Sequence, residues 1–123
     1  MRTEEQLNHT FAALADPTRR AILTLLASDE ATVHEMAPQF SVTPQAISKH
    51  LKVLERAELV TREKQGQRRP CRLQTQPLVN SAMWMEHYRQ TVENRLDRLG
   101  DLLEEIQRDD NNDRKKGKNN EHR

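Results

Sequence analysis

Between residues 43 and 56, five polar side chains (Gln45, Ser48, Lys49, Lys52 and Arg56) recur at intervals of three and four. Ile47, Leu51 and Leu54 recur at the same intervals between them. That period puts the polar set on one side of a helix and the apolar set on the other. Amides and hydroxyls can read the donor and acceptor pattern of base edges, and cationic groups neutralise phosphates. The pattern therefore suits a helix that lies in the major groove of DNA. Gln45 is the best candidate for a base contact, since a carboxamide pairs with adenine through two hydrogen bonds. Ser48 is a second candidate, while Lys49, Lys52 and Arg56 suit phosphate. His50 lies at the flank between the two faces, where partial burial and a phosphate contact are both open. Thr43 is placed as N-cap of this helix, with Pro44 at its first position.

The net charge of the 123-residue chain is only +1, but it is unevenly distributed. Residues 43–77 hold 8 Lys/Arg against 3 Asp/Glu, whereas residues 1–42 and 78–107 each hold 3 against 6. Positive charge thus collects on the suspected reading helix and on the segment C-terminal to it, the footprint of a nucleic-acid face. That segment reads as two short strands, residues 59–63 and 70–74, joined by a basic link with one glycine, Gly66. The pattern is that of a β-hairpin, or wing. Lys64, Gln67, Arg68 and Arg69 at its tip are candidates for minor-groove or backbone contact. A hairpin merely kept soluble by charge is the competing reading.

The remaining elements must hold these two features in place. Thr3 and Gln6 have capping-box spacing at the start of a first helix whose apolar stripe is Leu7, Phe11 and Leu14. Asp16-Pro17 opens a second helix with Ile22, Leu25 and Leu26 on one side, broken at Ser28-Asp29-Glu30. Thr32 and Glu35 repeat the capping box for a short third helix that ends at Pro38, and Phe40-Ser41-Val42 turns into the reading helix. A short helix, a tight turn and a polar-faced helix form a helix-turn-helix.

Residues 78–107 make the longest helix, along which Met85, Tyr88, Val92, Leu96, Leu99, Leu103 and Ile106 form a nearly heptad seam. Gly100 interrupts it and leaves room for a partner helix to approach. With 34% hydrophobic and 3% aromatic residues, a monomer of this size buries little. The seam is expected to pair with its own copy, together with Leu7 and Phe11 of the first helix, in a homodimer. The expected architecture is mainly α with a small β-hairpin, a winged helix-turn-helix domain over residues 1–107. Residues 108–123 contain no large apolar side chain and are expected to be a disordered charged tail.

Other functions find little support. No paired acid and base, nucleophile beside a histidine, or glycine-rich phosphate loop is present, so no enzyme and no cofactor is expected. There is no long apolar run at the N-terminus and none elsewhere, so neither a signal peptide nor a membrane partner is expected, and the cytoplasm is the expected compartment. The single cysteine excludes an internal disulfide framework. Cys71 lies near Arg69 and Arg72, which raises a redox switch against the plainer reading of a small residue packed on a strand. Trp84 and Tyr88 raise a ligand pocket at the dimer interface against ordinary core.

Two separated segments carry a family resemblance. Phe11-Ala12-Ala13-Leu14-Ala15-Asp16-Pro17-Thr18-Arg19-Arg20-Ala21-Ile22-Leu23 resembles the opening signature of the ArsR family of bacterial winged-helix repressors. Gln45-Ala46-Ile47-Ser48-Lys49-His50-Leu51-Lys52-Val53-Leu54 resembles that family's recognition helix, and Leu59-Val60 the start of its wing. The resemblance spans roughly residues 5–105 and implies a homodimer that binds a palindromic operator on double-stranded DNA, usually to repress transcription. Two departures stand out. Glu58 replaces the glycine common between recognition helix and wing. Thr32-Val33-His34-Glu35-Met36 lacks the Cys-x-Cys pair of metal-sensing relatives, and the last helix offers His87 without a second histidine; His9 and His122 lie near the chain ends. No metal is therefore expected, and no residue identifies a small-molecule effector. The expected function is a sequence-specific DNA-binding transcriptional regulator. A ligand-, redox- or metal-responsive sensor of the same fold and a winged-helix protein-interaction module are the alternatives.

Overall fold

The computed structural model describes residues 3–121, with side chains as far as residue 115. Helices α1 (Thr3–Leu14), α2 (Pro17–Ser28) and α3 (Val33–Met36) are followed by a 3₁₀ turn, Ala37–Phe40, and by α4 (Pro44–Arg56). Strands β1 (Val60–Arg62) and β2 (Cys71–Leu73) come next, and α5 (Gln76–Glu121) closes the chain. The chain divides after Met83 into two compact units.

The helix starts agree with the sequence signals. Asp16 caps α2, its carboxylate accepting from the Arg19 N–H at 3.0 Å, with Pro17 in the first turn. Thr32 and Glu35 form both halves of the capping box of α3. Thr43 caps α4 by accepting from the Ala46 N–H at 3.2 Å. One expected cap does not form: Thr3 is already helical, and Gln6 turns outward to other elements. Its amide donates to Glu58 at 2.9 Å and accepts from Asn80 at 3.2 Å. Pro38 does not end the third helix outright. It sits in the first turn of the 3₁₀ segment, where a missing N–H costs no hydrogen bond.

Ile22, Leu23 and Leu26 of α2, Met36 of α3, and Ile47, Leu51 and Leu54 of α4 form one buried core with Ala13, Leu59, Val60 and Cys71. Burying side chains of this size contributes roughly 1.5–3 kcal/mol each, so the α4 stripe alone is a large share of the stability of a small domain. On α1 the fully buried residues are Thr10 and Ala13, while Leu7 is half-buried and Phe11 is exposed. The Thr10 hydroxyl is satisfied by the Gln6 carbonyl at 2.8 Å.

The wing is an antiparallel pair in the register Val60↔Leu73, Thr61↔Arg72 and Arg62↔Cys71. Gln65 and Arg68 close its tip with reciprocal backbone bonds of 2.7 and 2.9 Å around Gly66, whose φ of 61° suits glycine. At the base, Cys71 and Ala31 exchange backbone bonds of 2.8 and 3.3 Å, tying the hairpin to the α2–α3 loop.

Residues 108–121, expected to be disordered, continue α5 as helix. Extending a formed helix needs no new nucleus, and a pair such as Asp110 with Arg114, four residues on, adds local support. Residues 122–123, His122 among them, lie outside the described residues.

The end of α4 has a distinct strain. Glu58 adopts φ 62° while the Leu59 N–H bonds the Leu54 carbonyl at 3.0 Å and the Glu58 N–H bonds that of Glu55 at 2.9 Å. This is the Schellman closure, which favours glycine at the left-handed position. A side chain there costs about 1 kcal/mol. Glu58→Gly is therefore expected to raise the free energy of unfolding by up to about 1 kcal/mol in urea titration, less the loss of the exposed Gln6 contact. A loss of stability instead would show that the Gln6–Glu58 bond outweighs the strain.

Candidate nucleic-acid interface

With the stripe Ile47, Leu51 and Leu54 fully buried, the opposite side of α4 has to face outward. Gln45, Lys49, Lys52 and Arg56 are exposed there, and Ser48 is half-buried between them. Gln45, Ser48, Lys49 and Lys52 line one side of a shallow cavity of about 430 Å³, and Val33 and His34 of α3 line the other. Thr43 is exposed at the helix start, but its hydroxyl is engaged by the Ala46 N–H.

His50 departs from this row. It is half-buried, and its Nδ1 lies 3.7 Å from the Asp16 carboxylate. The Arg19 backbone N–H, with a further contribution from His50, holds the Asp16 carboxyl below the usual carboxylate range. The imidazole thus points to the start of α2 and links α4 to the cap of that helix. The same loop explains two arginines that periodicity alone did not single out. Arg19 donates to the carbonyls of Ala13 and Ala12 at 2.8 and 2.9 Å, and Arg20 to that of Leu14 at 2.7 Å. They satisfy the open carbonyls at the end of α1.

The wing residues Lys64, Gln67, Arg68 and Arg69 are all exposed, but their charges are not equally available. Arg68 pairs with Glu35 at 2.7 Å, and Arg62 on β1 pairs with Glu55 at 2.7 Å. Arg72 on β2 is held by Glu30 and, at 3.8 Å, by Glu63. Lys64 and Arg69 form no ion pair among the described residues. The positive surplus read from the sequence is therefore concentrated at fewer points than a count of charges suggests. A second cavity, about 330 Å³, lies between α3 and the wing and is lined by Thr32, Val33, His34, Arg62, Gln67, Arg68 and Arg69. The contribution of His34 to this surface has no signal in periodicity or charge count, and Arg62 is only one of the eight cations of residues 43–77; folding alone brings both there.

Cys71 is fully buried on β2, and burial pushes its thiol up to about 11 despite Arg62 and Arg69 nearby. Thiolate is scarce at such a site at neutral pH, and the plainer reading of a packed small residue accounts for it. Among the described residues, no three His, Cys, Asp or Glu side chains cluster so as to hold a metal ion. No helix of the described chain is long and apolar enough to cross a membrane.

On α5, Met85, Tyr88, Val92, Leu96, Leu99, Leu103 and Ile106 are all exposed, Leu96 by 61%. Trp84 and Tyr88 stack in parallel with ring centroids 5.5 Å apart, and both are exposed rather than core. Arg89 bridges Glu86 and Glu93 on the next face of the same helix.

A family model described as a helix-turn-helix domain matches residues 14–63. Over 82 residues the chain is 37% identical to the transcriptional repressor SdpR of Bacillus subtilis, a match covering 67% of this chain and 91% of that protein. The solved structure of an ArsR-like transcriptional regulator from Rhodococcus sp. RHA1 superposes with a TM-score of 0.79 at 32% identity, over 83% of this chain and 94% of that one. The chain belongs to the ArsR family. A homodimeric winged helix-turn-helix DNA-binding domain from Mycobacterium bovis, solved by NMR, is also similar. It is 25% identical with a TM-score of 0.57, over 70% of this chain and 81% of that one. As an ArsR-family protein with α4 and the wing so arranged, the chain is a winged helix-turn-helix, DNA-binding transcriptional regulator.

In this ArsR-family chain Glu35 has two tasks, capping α3 and holding Arg68. The Thr32 backbone N–H, then the Thr32 hydroxyl, then Arg68 keep its carboxyl below the usual range. Glu35→Gln preserves the capping box, since glutamine serves at that position, but removes the charge that restrains Arg68. The variant is expected to bind duplex DNA more tightly, with a salt dependence steeper by roughly one phosphate contact in anisotropy titrations. An unchanged slope would show that Glu35 does not hold the wing arginine back.

Proposed function

We propose that the chain acts as a homodimeric repressor in the cytoplasm, binding a palindromic operator through α4 and the wing of each protomer. The observation that carries this reading is the outward row of Gln45, Ser48, Lys49, Lys52 and Arg56, opposite a stripe buried to 0% exposure at Ile47, Leu51 and Leu54. A fixed helix with a neutral centre and cationic flank matches the division of labour in the major groove, where amides discriminate bases and cations position the backbone. Gln45 and Ser48 read bases, and Lys49, Lys52 and Arg56 contact phosphate. Lys64, Gln67, Arg68 and Arg69 reach the neighbouring minor groove or backbone. Thr43 positions the start of α4, and His50 acts through its link to Asp16.

The second protomer is called for by α5. Its seam, with Leu7 and Phe11 of α1, leaves more apolar surface in water than a small monomer normally tolerates. Pairing with a second copy buries that surface and sets two recognition helices to enter successive major grooves, about one helical turn apart. Bound over a promoter, such a dimer competes with polymerase, which is the basis for repression.

Selection of sites from random duplex DNA at near-physiological salt tests the reading directly. A palindrome with half-sites one turn apart is the expected result; recovery of no motif, with binding that merely fades as salt rises, would replace the regulator by a basic interaction module. Gln45→Ala is expected to relax preference at one base pair, losing roughly 1–3 kcal/mol of discrimination. Lys52→Ala is expected to weaken all sequences alike and to lower the salt slope by about one. Equal loss of specificity in both variants would reverse those assignments. Leu99→Asp, at the middle of the seam, is expected to give a monomer in sedimentation velocity with far weaker operator binding. A variant that stays dimeric would move the interface off α5.

A further inference from the structure

The two cavities on the DNA-facing side share one wall. Val33 and His34 of α3 line both the groove along α4, with Gln45, Ser48, Lys49 and Lys52, and the cleft under the wing, with Arg62, Gln67, Arg68 and Arg69. Between a major groove and the minor groove beside it runs a ridge of backbone phosphates. If α4 occupies the first and the wing tip the second, that ridge passes over the wall between the two cavities. His34 is exposed there, and it is the one polar side chain common to both linings.

We propose that the cleft between α3 and the wing is a phosphate seat, and that His34 makes a backbone contact linking the recognition helix to the wing; this rests on the DNA-binding reading of both elements. The lining is built almost wholly from donors. Thr32 contributes a hydroxyl, His34 a ring N–H, Gln67 an amide, and Arg62, Arg68 and Arg69 three guanidiniums. No carboxylate lines the cleft. Glu55 and Glu35 lie beside its lining, each holding one arginine. The Nε and Nη2 of Arg62 both go to Glu55, and Nη2 of Arg68 goes to Glu35. A guanidinium has five N–H donors, so both arginines keep donors to offer while the carboxylates fix their orientation. Arg69 forms no ion pair among the described residues and supplies the charge. Preoriented donors around one concavity suit a tetrahedral oxyanion, and its position beside the α4 groove selects a phosphate of the ridge between the two grooves.

The test uses the full chain and the duplex recovered by site selection, with an unrelated duplex beside it. His34→Ala is expected to weaken binding to both duplexes equally, by roughly three- to tenfold, as removal of one solvent-exposed hydrogen bond does. His34→Arg is expected to restore or exceed wild-type affinity with a steeper salt dependence. Unchanged affinity in His34→Ala, or a loss confined to the selected site, overturns the phosphate assignment. Wild-type protein that binds neither duplex instead overturns the regulator reading beneath it. Should His34→Ala unfold early in thermal melts, the direction of the change in His34→Arg decides. A parallel melt in inorganic phosphate against chloride at equal ionic strength separates the two sources of the anion. A stabilisation abolished by Arg69→Ala assigns free phosphate as a ligand as well, and its absence assigns the seat to the DNA backbone only.

Discussion

The burial of one face of α4 is the constraint on which the interface depends. Ile47, Leu51 and Leu54 are each wholly withdrawn from water against α2, α3 and β1 residues. Rotating the helix by one residue, about 100°, would drive Ser48 or Lys52 into that core and bring an apolar side chain to the surface. The penalty for either exceeds what a small domain can spare, so the outward face of the recognition helix is fixed by what lies beneath it. The caps reinforce this: Thr43 sets where α4 begins and the Schellman closure at Glu58 sets where it ends. The outward row of α4 is thus positioned by the core and not by its own contacts.

Electrostatics refine this frame. The wing is attached at its base through Ala31 and Cys71 and along its length by pairs from Arg62, Arg68 and Arg72 to carboxylates on α4, α3 and the loop before α3. Exposed pairs contribute little to stability, but they orient long side chains and lower the positive potential of the free protein. In the proposed complex a DNA backbone would offer those arginines a further acceptor, met by the donors the carboxylates leave open. The acidic residues around the wing would then tune affinity without touching the ligand.

The long helix presents the opposite situation. Its seam has no buried partner among the described residues of its own unit, and much of its apolar surface remains in water. A helix that is regular by its own hydrogen bonds yet exposed on its apolar face fits the proposed pairing with a second copy. That is why the local structure of α5 and the partner that covers it are separate questions.

Much of this was legible from residue type and spacing, because the signals involved are local. Asp16-Pro17, the Thr32–Glu35 box and Thr43-Pro44 mark helix starts through bonds that span three residues, and the period of α4 separates its two faces without reference to any other element. The glycine expected before the wing could be named from the resemblance, and Glu58 in its place takes the left-handed conformation the position demands. Gln6, by contrast, has capping-box spacing yet bonds Glu58 and Asn80, and Pro38 lies within a 3₁₀ turn rather than ending the third helix. Residues 108–121 lack large apolar side chains and still extend α5, because helix propagation depends on the helix before it. Which arginines are restrained, that His50 meets Asp16, and that His34 stands between the two cavities were decided only by the tertiary structure. Each depends on side chains far apart in sequence meeting across packed elements, and no periodicity within one segment carries that information.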